Sequence, residues 1–177
     1  MNQSPTDGHA ALFLDYSTGK LRQLESRIEA CLEKLNGEQV WARGAEDENA
    51  AGNLVLHLCG NVRQWIVSGV GGNPDIRERD AEFAARGGAA IAELCAKLRA
   101  TVDEATGILE ALPPAQLSER RTIQGYEVSV LEAIYSVVEH FSMHTGQIIF
   151  ATKAFTGADL GFYGYLNAAR SHKERTP

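Results

Sequence analysis

Apolar residues recur three and four apart in four long stretches of the chain, the spacing of helices that each bury one face. In residues 10–36 the apolar positions are Leu12, Phe13, Tyr16, Leu21, Leu24, Ile28, Cys31, Leu32 and Leu35, and Gly37 ends the run. A second helix is predicted from an N-cap at Asn49 to about Ser68, with Leu54, Leu58, Val62, Trp65 and Ile66 on its apolar face. The cluster Gly69, Gly71, Gly72, Asn73 and Pro74 stops it. The third runs from about Gly88 to Leu112, carries Ile91, Leu94, Cys95, Leu98, Val102, Ala105, Ile108 and Leu109, and is terminated by Pro113 and Pro114. The fourth and most apolar spans about Ser129 to Ala154.

The connections read differently. Glu38 to Glu48 is acidic and irregular, a loop pinned by the Trp41 indole. Charges alternate over Asp75, Arg77, Glu78, Arg79 and Asp80, which predicts a solvated connection, and a long one if helices 2 and 3 run in the same direction. Arg121 to Ile123 is a short extended piece, and the Gly- and aromatic-rich stretch Gly157 to Tyr165 is a strap against the helices, followed by a short polar helix or a frayed end. With no convincing strand alternation, the expected fold is an all-α four-helix bundle, one domain over residues 1–177 with an ordered core of about 10–170.

Composition narrows the class. Apolar residues are 44% and charged residues 23% of the 177, the balance of a chain that folds alone. A net charge of −6 with scattered Lys and Arg argues against nucleic acid as the partner. The start, Met1 to Gly8, is polar, and no run of about 18 apolar residues occurs, so neither a secretory signal nor a membrane span is expected and the location is read as cytoplasmic. Cys31, Cys59 and Cys95 are odd in number and fall in helical segments, so they read as small core residues rather than a disulfide framework.

The candidate chemistry lies in the histidines. His140 and His144 stand four apart on the fourth helix, so both imidazoles leave one face about 6 Å apart at Cβ and can converge on one ion. They share a stripe with Val137, Ile148 and Ala151, which turns them towards the core, where an unpaired imidazole would cost roughly 1–3 kcal/mol. On the second helix His57 shares a face with Leu54, Leu58 and Asn61. Alone it is equally a core histidine bonded to a carbonyl; with the pair it completes a three-histidine site whose fourth position is left for water or substrate.

Asn53, Asn61 and Gln64 form a polar strip beside His57 that either orients ligands and substrate or bonds helix to helix. Glu139 and Gln147, beside His140 and one turn past His144, are candidates for supporting the ligands or moving a proton, and otherwise are ordinary polar helix positions. His9 and His172, near the ends, are expected to be exposed and outside the site.

These residues resemble a known family. Asn-Leu-Val-Leu-His-Leu-Cys-Gly-Asn-Val-Arg-Gln-Trp-Ile from Asn53 and His-Phe-Ser-Met-His-Thr-Gly-Gln-Ile from His140 are similar to the DinB/YfiT-like superfamily of metal-dependent enzymes. The Gly-Val-Gly-Gly turn at Gly69 to Gly72 and Asp-Leu-Gly-Phe-Tyr at Asp159 to Tyr163 resemble an uncharacterised branch of it. The resemblance implies an up-down-down-up bundle with a long crossover between helices 2 and 3. It further implies a divalent metal, nickel or zinc, held by His57, His140 and His144.

For function it implies a metal-dependent hydrolase or a transferase using a low-molecular-weight thiol such as mycothiol, bacillithiol or glutathione, acting on a small-molecule substrate, with Arg63 or Arg121 as the candidates to bind a thiol's carboxylates. Fold does not fix activity. The competing expectation is a non-catalytic metal-binding module that works through a partner or as a homodimer.

Overall fold

A computed structural model of the chain describes residues 5–164. It is mostly helical. Helix α1 spans Pro5–Leu32, α2 Ala51–Val62, the short α3 Arg79–Ala84, α4 Ile91–Ala111 and α5 Val130–Thr156, with strands β1 Arg120–Ile123 and β2 Tyr126–Ser129 between α4 and α5. Helices α1 and α2 each pack against α4 and α5. Between them lie Leu21, Ile28 and Leu32 of α1, Leu58 of α2, Leu94, Leu98 and Leu109 of α4, and Ile134, Phe141 and Ile148 of α5, all fully buried.

On α1 the buried stripe is Leu14, Ser17, Leu21, Leu24, Ile28 and Leu32. Leu12 and Tyr16 are exposed, contrary to the apolar face expected for them. Each is two residues from Leu14, hence roughly 200° around the helix. The helix also ends a turn before Gly37, because the Asn36 side chain accepts the N–H groups of Glu38 and Gln39 at 3.0 and 2.9 Å and starts a tight turn of its own, Gln39–Trp41. Trp41 does pin this loop: its indole N–H donates to the Ala89 carbonyl and its ring lies against Gly52.

The N-cap of α2 is Ala50, not Asn49; Asn53 reaches back, and its Oδ1 accepts the Ala50 N–H at 3.3 Å. Past Val62 the helix widens into a π-helical stretch, Arg63–Val70, closed by the Gly71 N–H donating to the Ile66 carbonyl at 2.8 Å, five residues back. Helix α5 begins where expected, since Ser129 and Glu132 cap each other reciprocally, and it ends at Gly157, whose φ of 62° is left-handed. Helix α4 starts later than Gly88, at Ile91, with the Glu93 carboxylate accepting the Ala90 N–H.

Two connections differ from expectation. The extended piece at Arg121–Ile123 has a partner strand, so the chain is not purely helical: β1 and β2 form an antiparallel hairpin whose two turn residues, Gln124 and Gly125, both take positive φ. Its buried Ile123 sits on Gly69, where a Cβ would lie 2.4 Å from the isoleucine. The segment after Asn73 is not simply solvated: α3 folds onto α2, and the Arg77 side chain is only 3% exposed.

Cys31 and Cys59 are buried and Cys95 half-buried, all free thiols. Leu160 and Phe162 pack on the core and the Arg27 guanidinium lies over the rings of Phe162 and Tyr163, which makes Gly157 to Gly164 the expected strap. Tyr165, the polar segment after it and His172 lie outside the described residues. Among the described residues no helix is long and apolar enough to cross a membrane.

Candidate metal centre

Helix periodicity places His140 and His144 at the margin of the buried stripe of α5, which runs through Val137, Phe141, Thr145 and Ile148. Both are half-buried. His57 comes from the interior of α2 and is 6% exposed. The three rings meet edge to face, with centroids 4.4–5.1 Å apart, and one nitrogen from each lies within 4.8 Å of the other two. His57 Nε2 and His140 Nε2 are 2.9 Å apart.

That closeness tests whether a cation suits the site. Two bare lone pairs at 2.9 Å repel, so the pair needs either a proton between the nitrogens or a cation that both can face. In the neutral rings an Nε2–H tautomer supplies that proton; it is the charged imidazolium that is opposed here. Burial, then the His144, His57 and Arg77 charges, push the His140 imidazole down to about 4, and burial also lowers His144 despite a hydrogen bond to Gln147. Near neutral pH these two rings are therefore neutral and available as ligands. Tetrahedral Zn–N bonds of about 2.0–2.1 Å put ligand nitrogens roughly 3.4 Å apart, between the 2.9 Å of the His57–His140 pair and the 4.8 Å that bounds the set.

The partners of the remaining nitrogens agree. His144 Nδ1 lies 2.6 Å from Gln147 Oε1, a bond in which the ring donates and the amide oxygen accepts, leaving Nε2 bare. His57 Nδ1 lies 3.0 Å from Glu82 Oε2, and Glu82 is in turn held by Arg77, whose Nε donates to Oε1 and Nη2 to Oε2, both at 2.8 Å. Burial pushes the Glu82 carboxyl up, but hydrogen bonds from Arg77 and His57 outweigh it and hold it below its ordinary value, ionised. Phe83 covers His57 from the same short helix, its ring centroid 4.7 Å away.

The other residues singled out from the sequence divide. Gln147 touches a histidine of the cluster. Glu139 is exposed and, among the described residues, its side chain makes no hydrogen bond; it acts on His144 only through its charge. Asn53 is fully buried but faces away from the histidines: its Nδ2 donates to the Glu82 and Ala85 carbonyls and its Oδ1 accepts from Arg43. Gln64 likewise serves the neighbouring segment, accepting from Arg77 and donating to Asp75. Both belong to the helix-to-segment network rather than to the ligand set. Asn61 is half-buried, with a buried Oδ1 that has no partner among the described residues.

Arg63 and Arg121 stand in half-exposed ion pairs with Glu104 and Glu119. His9 is exposed, as expected, although it lies on α1. Glu82, Arg77 and Phe83 were not legible as site residues. The one signal was Gly60, a helix-interior glycine one turn past His57, which marks a close approach by another part of the chain.

The helical arrangement has counterparts among solved structures. A conserved protein from Enterococcus faecalis superposes with a TM-score of 0.71 at 16% identity, covering 81% of this chain and 97% of that one. A DinB-like protein from Bacillus subtilis gives 0.64 at 18% identity over 84% of this chain and 97% of its own. A DinB-like protein from Bacillus cereus gives 0.63 at 15% over 80% and 93%. At such identities the likeness shows the fold alone, a mostly helical fold similar to that of the DinB-like proteins. Residues 8–166 match the family described as "Protein of unknown function (DUF1572)", and the chain belongs to it. No curated protein matches the chain.

Proposed function

We propose that this protein binds one divalent transition-metal ion through His57, His140 and His144 and is a metal-dependent enzyme acting on a small molecule. The observation that carries the reading is the convergence of three imidazole nitrogens within 4.8 Å of one another, two of the rings holding an oxygen acceptor on the opposite nitrogen. Four long helices in an up-down-down-up bundle, one domain over 1–177, with the long segment between α2 and α4 as the crossover, make the frame of the proposal.

Three imidazoles suit nickel or zinc and leave a coordination position open. When bound, such an ion supplies Lewis-acid polarisation of a water or a low-molecular-weight thiol, the chemistry of a hydrolase or of a thiol S-transferase. The chain's own residues do the rest. Glu82 and Gln147 orient two of the rings, and Phe83 shields His57 from water.

Elemental analysis of protein purified without chelator tests this, comparing wild type with His140→Ala plus His144→Ala. The reading expects about one equivalent of nickel or zinc in wild type and its loss in the variant; less than about a tenth of an equivalent after reconstitution defeats it.

A second reading has the ion structural and the protein working as a homodimer. The exposed apolar residues Leu131, Tyr135, Met143 and Phe150 on α5 favour it. Metal removal separates the two: a structural ion takes a large part of the thermal stability with it, an ion in an open catalytic site a modest part.

A further inference from the structure

Behind His57, away from the other two histidines, a carboxylate and a guanidinium are packed into the protein interior. Glu82 is 8% exposed and the Arg77 side chain 3%. Ion pairs buried this deeply are costly to desolvate, and their own attraction seldom explains their presence. The geometry points to Glu82 as a positioning residue that locks His57 in the tautomer whose bare Nε2 faces His140 and His144, with Arg77 as the clamp on Glu82. This rests on the metal-site reading above.

The competition at His57 Nδ1 decides the tautomer. That nitrogen is 3.0 Å from Glu82 Oε2 and 3.1 Å from Arg77 Nη2. A carboxylate only accepts and a guanidinium only donates, so one contact is a hydrogen bond and the other is not. With Nδ1 bare, its lone pair would face a full negative charge. With Nδ1 protonated, Glu82 Oε2 accepts from it, and the Arg77 amino group loses nothing, because it already donates to the same oxygen at 2.8 Å. The protonated Nδ1 wins, and the proton is thereby removed from Nε2. Arg77 adds rigidity: Nε and Nη2 grip both carboxylate oxygens, and Nη1 donates to Gln64 on the helix of His57.

Two further features show that the chain is shaped around this contact. A Cβ at Gly60 would lie 1.8 Å from Glu82 Oε1 and 2.9 Å from Arg77 Nε, so only glycine there admits the pair. Asn53, with no exposed surface, spends its amide nitrogen on the Glu82 and Ala85 carbonyls and fixes the backbone that carries the carboxylate. Arg77 and Glu82 also wall a cavity of about 450 Å³, with Leu56, Ile76, Ala81 and Lys97, large enough to admit a guanidinium ion beside a truncated Arg77.

The test is run on the full chain. Two-bond nitrogen–proton NMR spectra of metal-free protein report the tautomer of each histidine, and competition with a chromophoric chelator gives zinc affinity. Wild-type His57 is expected to carry its proton on Nδ1. Glu82→Gln and Gly60→Ala are expected to move it towards Nε2 and to weaken zinc binding about 10- to 100-fold, with helical content and the signals of Leu94 and Leu98 in the core unchanged. Arg77→Ala is expected to lose affinity similarly and to regain part of it in millimolar guanidinium, a rescue that a merely structural arginine would not show. Wild-type His57 protonated on Nε2, or a Glu82→Gln protein that keeps the wild-type tautomer and binds zinc within a factor of about three, overturns the inference. Failure of wild type to bind any metal defeats the metal-site reading instead, and the tautomer of metal-free His57 still decides this one.

Discussion

The two walls of the histidine cluster are built on opposite principles. On α5, His140 and His144 are half-buried, four residues apart on one helix, and supported by a single neighbour, Gln147, on the same helix. On α2, His57 is buried and its support is drawn from distant parts of the chain: Glu82 and Phe83 on α3, Arg77 before it, and Asn53 and Gly60 to seat them. The α5 wall is local and half-buried; the α2 wall is non-local and buried. A site whose ligands must rearrange around an ion gains from having its freedom on one side only, with the other holding the reference position.

Glu82→Ala attacks the buried wall most directly, because it leaves the Arg77 guanidinium buried without its partner. We expect a loss of about 3–5 kcal/mol in a urea or guanidinium melt of metal-free protein, with His144→Ala costing under about 1 kcal/mol in the same melt. Equal losses from the two would dissolve the distinction between the walls. Adding zinc or nickel at about 100 times its Kd should raise wild-type stability by about 2.7 kcal/mol and that of His144→Ala by much less, which thermal melts at fixed pH measure.

Acid should loosen the α5 wall before the ion pair behind His57. The His140 imidazole titrates at about 4 in the folded protein against about 6.5 unfolded. Between those values the unfolded chain binds the extra proton, so His140 should lower the stability of metal-free protein as the pH drops from about 6.5 towards 4, with no further loss from this group below. Glu82 is also held low, and its contribution is lost only at more acid pH than that of an ordinary carboxylate. A pH series of melts, with the His140 ring protons followed by NMR, checks the order. The smallest effect is expected at Glu139, exposed and unbonded: Glu139→Gln should keep metal content and change stability by less than about 0.5 kcal/mol.

The same contrast explains what could be read in advance. The i, i+4 spacing of His140 and His144 and the Ser129–Glu132 cap are local, so the helix, its start and two of the clustered histidines follow from short stretches of sequence. His57 was legible because a histidine among Leu54, Val55, Leu56 and Leu58 has to face inward or break the apolar face. Its supports were not. Arg77 lies in a run of alternating charges that looks solvated, and nothing local says that the run folds back across Gly60 into a cleft that shields it.

Periodicity puts Asn53, Asn61 and Gln64 in one strip but does not say which neighbour receives their polar groups, and two of the three serve α3 and its approach. The second strand of the hairpin was missed for a different reason. Its turn is Gln-Gly rather than the Asn-Gly or Asp-Gly that most strongly favours two positive φ angles in succession, and four residues are too few to display an alternating pattern.

Helix α3, six residues long, is far below the length at which a helix persists in water unaided. Its order is borrowed from Asn53, Arg43 and the grip of Arg77, so its amides should exchange with solvent together and well before those of α2, by a local opening that leaves the large helices closed. During such an opening His57 loses its proton acceptor and Phe83 its place over the ring. The lifetime of a bound ion would then be set by how often this short helix lifts, a clock separate from global unfolding.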